Sequence, residues 1–197
     1  MKQENYSGDV IVIEGPDGAG TTTMSRRLAE DLNADWTCEP TDKKTGVKVD
    51  EMISEEGYSP ESVALAFASD RILHIEEDVM PMLKDGRTVV SDRYVYSSLI
   101  YQPEMGADQE WVREINTAAV EPELTIILDV TAELGMERVG DRGSEKSIFE
   151  ELDFQSRVAS RYRQMEEREE VVIVDATRSE DEVYREIRET VRTRMGL

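Results

Sequence analysis

Eight consecutive residues, Gly15-Pro16-Asp17-Gly18-Ala19-Gly20-Thr21-Thr22, carry the glycines and hydroxyls that a phosphate-holding loop requires. Glycines let successive backbone N–H groups point into one concavity, and a helix opening at the loop's end adds partial positive charge. Thr22 stands where such a loop places the hydroxyl that holds Mg²⁺. Thr21 stands where a lysine normally reaches the β- and γ-phosphates, so that cation is absent. The chemistry on offer is nucleotide phosphate binding with a gap in its positive charge.

Other residues extend this set. Asp92-Arg93 follows a short β-branched run; an acid there can hold Mg²⁺ or its waters, and an arginine can grip a phosphate with two N–H groups. Phe67 and Arg71 lie four apart, on one face of a predicted helix. That spacing fits a core phenylalanine with an arginine at the rim, or a base stacked on the ring and hydrogen-bonded by the guanidinium. Arg138, Arg142 and Lys146 recur every four residues around Gly140 and Gly143, as mobile cations on a glycine-hinged segment or as a solvated basic face. His74 reads as a helix-rim histidine, Cys38 as a small residue at a strand end, and Glu39-Pro40 as a strand exit. Arg157-Arg161-Arg163 and Arg185-Arg188-Arg192 read as salt-bridged helix faces.

The elements that must position these residues alternate between strand and helix. Val10–Ile13 reads as a strand and Thr22–Leu32 as a helix, followed by a short strand at Asp35–Cys38. Residues 39–59 read as polar and irregular, broken by Pro40, Gly46 and Gly57, with Pro60 beyond. Helical periodicity covers Glu61–Leu83, a strand Thr88–Val90, and a helix Trp111–Ala119. Leu124–Asp129 is a strand, Glu150–Arg168 a helix, Val171–Asp175 a strand, and Glu180–Met195 a charged final helix. Continuous apolar strands separated by helices predict a single three-layer α/β domain over residues 1–197, with a parallel sheet covered on both faces. Ligands gather at the carboxyl ends of such strands, which selects the loop, Asp92-Arg93, the segment after Asp129 and Asp175-Ala176-Thr177.

Composition narrows the function. Forty-four acids face twenty-three bases, a net charge of −21, and only six of the bases are lysine. Self-repulsion on that scale is screened at molar salt, which points to a host with a salty cytoplasm, an ordinary acidic protein being the alternative. Broad binding to nucleic acid is disfavoured. No run approaches the roughly 18 apolar residues of a membrane span, and the first residues lack a signal-peptide core. One cysteine excludes an internal disulfide and fits a reducing cytoplasm; one histidine excludes a Cys/His metal cluster.

Taken in order, these motifs resemble the thymidylate kinase family, from about Asp9 to Ile187. The residues that carry the likeness are Ile13-Glu14-Gly15-Pro16-Asp17-Gly18-Ala19-Gly20, Glu39-Pro40-Thr41-Asp42, Phe67-Ala68-Ser69-Asp70-Arg71, Asp92-Arg93-Tyr94 and Ser97-Ser98-Leu99-Ile100-Tyr101-Gln102. Arg142-Gly143, Phe149-Glu150, Phe154 and Tyr162 are similar to its lid, about residues 136–150, and the helix that follows. The resemblance implies a P-loop fold with a five-stranded parallel sheet, usually a homodimer, that moves a phosphoryl group from ATP to dTMP with Mg²⁺. It implies Asp17 at the sugar's 3′ side, Phe67 against thymine, and Arg71 at the base edge with Ser98 or Gln102 near N3. Tyr101 would crowd the 2′ position, Arg93 would hold the acceptor phosphate, and Asp92 would organise Mg²⁺ and the attacking oxygen. Gly18 implies the variant whose catalytic cation comes from the lid, Arg142 with Arg138 in reserve. Thr21, Cys38, Asp50 and Ile148 all stand where relatives often carry a cation. Either Arg26 or a lid residue substitutes, or the protein binds nucleotide and turns over slowly. A kinase for another nucleoside monophosphate or nucleoside, and a non-catalytic nucleotide-binding module, are the rival readings.

Overall fold

A computed structural model describes residues 6–55, 57–140 and 145–197, with side chains described at all of them except 145–149. Five parallel strands form one sheet: β1 (Val10–Glu14), β2 (Asp35–Cys38), β3 (Val89–Asp92), β4 (Leu124–Asp129) and β5 (Val171–Asp175), in the order β2-β3-β1-β4-β5. The reversal of strand order beside β1 opens a crevice at the carboxyl ends, where the glycine loop emerges. Along β1 the apolar residues divide between the faces. Ile11 and Ile13 pack with Met24, Leu28 and Ile187 on one side, and Val10 and Val12 with Ile75, Val79 and Leu83 on the other. That two-sided burial is why the strand reads as an unbroken apolar run, and each such side chain contributes about 1.5–3 kcal/mol.

The helices in chain order are α1 (Thr21–Leu32), α2 (Lys44–Ser54), α3 (Pro60–His74), α4 (Met80–Lys84), α5 (Val95–Glu104), α6 (Gln109–Ile115), α7 (Ala132–Val139), α8 (Glu145–Arg163) and α9 (Glu180–Met195). α3 starts where its sequence says it should: Ser59 caps Ser62 N–H at 3.2 Å and Pro60 occupies the first turn. Ser179 and Glu182 form a capping box at α9. Among the described residues no helix is long and apolar enough to cross a membrane.

Four expectations require correction. The 39–59 stretch is not irregular throughout, because it contains α2. Gly46 lets that helix lie on the Thr41 backbone, where a Cβ would come within 1.9 Å of the Thr41 carbonyl oxygen. Buried Asp70 ties the segment down, accepting from Thr41 N at 2.8 Å, Thr41 Oγ1 at 2.7 Å and Thr45 Oγ1 at 2.6 Å. The helix expected over Glu61–Leu83 is interrupted by a π-helical turn at Ile75–Val79, in which Met80 N–H bonds the Ile75 carbonyl. Pro81 has no N–H to give Glu77, so the ladder shifts there. The helix expected at Trp111–Ala119 ends at Ile115, and α5 and α7 stand where no element was expected.

Candidate active site

The glycine loop turns on backbone conformations that side chains disfavour. Gly18 and Gly20 have φ of 77° and 94°, and Gly20 caps α1 with no side chain and no acid in the first turn. The N-terminal N–H groups of α1 are thus left free of carboxylate competition, as anion binding needs. Gly18 also lies against α7. A Cβ on Gly18 would come within 2.1 Å of the Gly135 carbonyl oxygen, and one on Gly135 within 2.3 Å of the Asp17 oxygen.

Thr22 Oγ1 donates to Asp92 Oδ2 at 2.5 Å, joining the first turn of α1 to the end of β3. Asp92 is 7% exposed, and its Oδ1 is buried without a hydrogen-bond partner among the described residues. A lone carboxylate oxygen beside a hydroxyl is a donor set for a hard cation. No cluster of three or more His, Cys, Asp or Glu surrounds it among the described residues. Mg²⁺ held there would complete its shell with water and substrate phosphates, which is its usual habit. Cys38, paired in register with Asp92, has its thiol pushed up to about 11 by burial and then by Asp92 and Asp42, so it remains uncharged.

β3 stops at Asp92, and Arg93 takes a left-handed φ of 64°. A non-glycine residue in that region is uncommon and gathers at functional sites. The turn brings the Arg93 guanidinium back to the loop, where Nη2 meets Asp17 Oδ1 at 2.6 Å and Nη1 meets Ser97 Oγ at 3.2 Å. Tyr101 OH donates to the same Asp17 oxygen at 3.0 Å, and Gln155 Nε2 donates to Asp17 Oδ2 at 2.8 Å. Burial raises the Tyr101 phenol far above its ordinary value, with Arg93 only partly opposing it, so the hydroxyl stays protonated.

Beneath this group, buried Glu14 accepts Tyr94 N at 2.9 Å, Ser97 N at 3.0 Å, Ser97 Oγ at 2.7 Å and Tyr162 OH at 2.8 Å. Burial pushes its carboxyl above the ordinary range, against Arg93, Ser97 and Tyr162.

Two cavities flank the loop. The first, about 390 Å³, is lined by Asp17, Phe67, Arg71, Arg93, Tyr101 and Gln102, together with Glu39, Phe154 and Gln155. Phe67 is half-buried and faces this space. Gln102 is 1% exposed with its Oε1 unpartnered among the described residues. Arg71 is not a rim residue: it is buried, and its Nε meets Glu39 Oε2 at 2.8 Å while Nη2 meets Ser98 Oγ at 2.9 Å and the Tyr94 carbonyl at 3.3 Å. Nη1 bonds Asn116 Oδ1, which leaves one N–H of the fork uncommitted among the described residues. Ser98 therefore supports Arg71 from below. His74 is likewise buried rather than at a rim, between Glu39 Oε1 at 3.0 Å and Thr37 Oγ1 at 2.5 Å.

The second cavity, also about 390 Å³, lies on the other side of the loop against Gly18, Ala19, Gly20, Arg138 and Ala176. Arg138 spans it, donating to the Ala176 carbonyl at 3.0 Å and the Gly18 carbonyl at 3.5 Å. Arg142, expected as the lid cation, lies outside the described residues.

The structure thus gathers the loop, Asp92, Arg93, Phe67, Arg71, Tyr101 and Gln102 at one end of the sheet. Glu39, His74, Asn116 and Gln155 join them without having been singled out for the site. Each is an ordinary polar residue whose partner is distant in sequence, and the Glu-Pro pair was the one available signal. The arginines of α8 form salt bridges as expected, within the helix between Arg157 and Asp153 and also across elements: Arg157 and Arg161 with Glu104 of α5, and Arg163 with Asp129 of β4.

The chain is similar in sequence to known proteins along most of its length. The thymidylate kinase family profile matches residues 13–187. A probable thymidylate kinase of Methanococcus vannielii is 44% identical over 157 residues, 80% of this chain and 77% of that protein. One from Staphylothermus marinus is 37% identical over 198 residues, 97% of each chain. One from Archaeoglobus fulgidus is 38% identical over 194 residues, 95% of this chain and 97% of that protein. With the family profile spanning most of the chain and relatives aligned along almost all of it, this P-loop protein belongs to the thymidylate kinase family.

Proposed function

We propose that the chain is a one-domain cytoplasmic kinase, closed by a lid near residues 136–150, that transfers the γ-phosphoryl group of ATP to dTMP and yields dTDP and ADP. The observation that carries this reading is the cavity of Phe67, Arg71, Tyr101 and Gln102, which opens at Arg93 onto the glycine loop. A cavity that size is suited to a nucleoside, with an aromatic face, two polar groups for a base edge and a cation where a phosphate would lie. Phe67 stacks on thymine; the uncommitted Arg71 N–H and the unpartnered Gln102 Oε1 meet its polar edge. Tyr101 limits the 2′ position and Asp17 the 3′ side.

Arg93 holds the acceptor phosphate. Its second ionisation lies near pH 6, so an acceptor oxygen attacks the γ-phosphorus at neutral pH without a base. The new P–O bond forms as the bond to the β–γ bridging oxygen breaks, and ADP leaves. Residues Gly15, Pro16, Asp17, Gly18, Ala19, Gly20, Thr21 and Thr22 cradle the donor phosphates, with adenine in the cavity beside Arg138 and Ala176. Arg142, with Arg138, neutralises charge on the transferring group. Thr22 and Asp92 would hold Mg²⁺, which when bound supplies charge neutralisation between the phosphates. A homodimer is supported by Leu65 and Ile72, exposed apolar residues seven apart on α3.

A coupled assay with ATP, Mg²⁺ and each nucleoside monophosphate, at low and at molar KCl, tests the reading. We expect ADP release that depends on dTMP. Release with another monophosphate instead would reassign the acceptor, and nucleotide binding without turnover at any salt would leave a binding module.

A further inference from the structure

The loop's missing lysine leaves a charge to be supplied, and most cations around the loop already have a task. Arg93 is held by Asp17, Arg71 by Glu39, and Arg138 by two carbonyl oxygens. Arg26 differs. It is exposed, takes part in no ion pair among the described residues, and rests with its guanidinium carbon 3.6 Å from the centroid of the Trp36 ring. In a chain with 44 acids, an arginine parked on an indole rather than on a carboxylate is free to be claimed by an anion.

Its location is suited to one. Thr22 and Arg26 are four apart on α1 and share a face, and Thr22 shows where that face looks: its hydroxyl touches Asp92 at the end of β3. Side chains on a helix lean toward its N-terminus, and one turn is about 5.4 Å, within the reach of an arginine. Trp36 is fixed as a perch, because its Nε1 donates to Ser25 Oγ at 3.0 Å. Beyond it on the same side of β2 comes Cys38, in register with Asp92. No charged side chain of β2 stands between the perch and the phosphate end of the sheet.

We propose that Arg26 is a catalytic residue that leaves Trp36 when both nucleotides are bound and contacts the phosphates beside Thr22 and Asp92, supplying the charge the loop lacks at Thr21. The proposal rests on the kinase reading above for its turnover arm only. Its second arm requires nothing but nucleotide binding.

The experiment uses Trp111→Phe, which makes Trp36 the sole indole, and a non-hydrolysable ATP analogue with dTMP and Mg²⁺. Emission from Trp36 is expected to change on saturation as the guanidinium departs, and the change is expected to be absent in Arg26→Gln. In turnover, Arg26→Gln is expected to lower kcat about tenfold or more, with the KM for dTMP within about twofold, and Arg26→Lys to lie between. Adding Thr21→Lys is expected to shrink the Arg26→Gln deficit to about threefold or less, since the two cations would then serve one site. An emission change that persists in Arg26→Gln, no change in either protein, or a kcat within about twofold of the parent would overturn the assignment. A parent that releases no ADP in response to dTMP would instead count against the kinase reading, and the emission arm would still decide the fate of Arg26.

Discussion

Glu14 shows how much one side chain can hold. Its two oxygens collect two backbone N–H groups and two hydroxyls, and so fix the start of α5 beneath Arg93. Glu14→Ala strands these donors and is expected to cost about 2–3 kcal/mol. Glu14→Gln is expected to cost about 1 kcal/mol or less, because the Ser97 and Tyr162 hydroxyls can turn to accept from the amide. Urea denaturation of both variants checks this, and equal losses would refute the role given to the hydroxyls. Burial raises the Glu14 carboxyl in the folded state, so the native protein binds a proton more readily than the unfolded chain. Its contribution is then largest below the unfolded value and is lost as pH rises through the folded one. Gln does not titrate and should remove that stretch of the pH–stability slope. Thr21→Lys is expected to leave kcat equal or raise it; a large loss in the same assay would mean that the loop is built around threonine.

The helices and strands differ in how far their own residues announce them. β1 and β4 were legible because both faces are buried and the apolar run is continuous. α2 was not, since its polar, glycine-containing stretch is made helical by contacts with Thr41 and Asp70. α5 escaped notice because Pro103 sits inside it and its aromatic residues carry no clear helical period. In the site, spacing placed Phe67 and Arg71 on one face, and the motif placed Thr22 beside Asp92. The burial of Arg71 and His74 depends on Glu39, more than thirty residues away, which no local pattern reveals. The seat of α7 on the loop was equally hidden, being a contact between two glycines. Gly135→Ala is expected to cost about 1–3 kcal/mol through overpacking and to raise the KM for ATP, because the loop must move. Gly140→Ala, in open space at a positive φ, should cost stability without that KM change. If Gly135→Ala binds ATP like the parent, the contact is structural only.

For the whole protein the dominant fact is charge. With a net charge of −21, repulsion across the surface should outweigh the ion pairs that salt also weakens. The Tm is therefore expected to rise by several degrees between low salt and molar KCl, read by differential scanning fluorimetry; a fall would show that the arginine–carboxylate pairs of α8 and α9 dominate instead. Concentrated salt also bears on the contact between Arg93 and Asp17. An arginine fork left open in such a medium takes whichever small anion is most abundant, and chloride would then stand in the way of every substrate molecule. Here the tethered carboxylate of Asp17 already holds one arm of the guanidinium, Nη2. A free monovalent ion must displace an intramolecular competitor whose local concentration no solution can match. A phosphate dianion carried on a nucleoside brings both a second charge and the hold of the neighbouring cavity. On the role proposed for Arg93, Asp17 is expected to make that site discriminate against small monovalent anions.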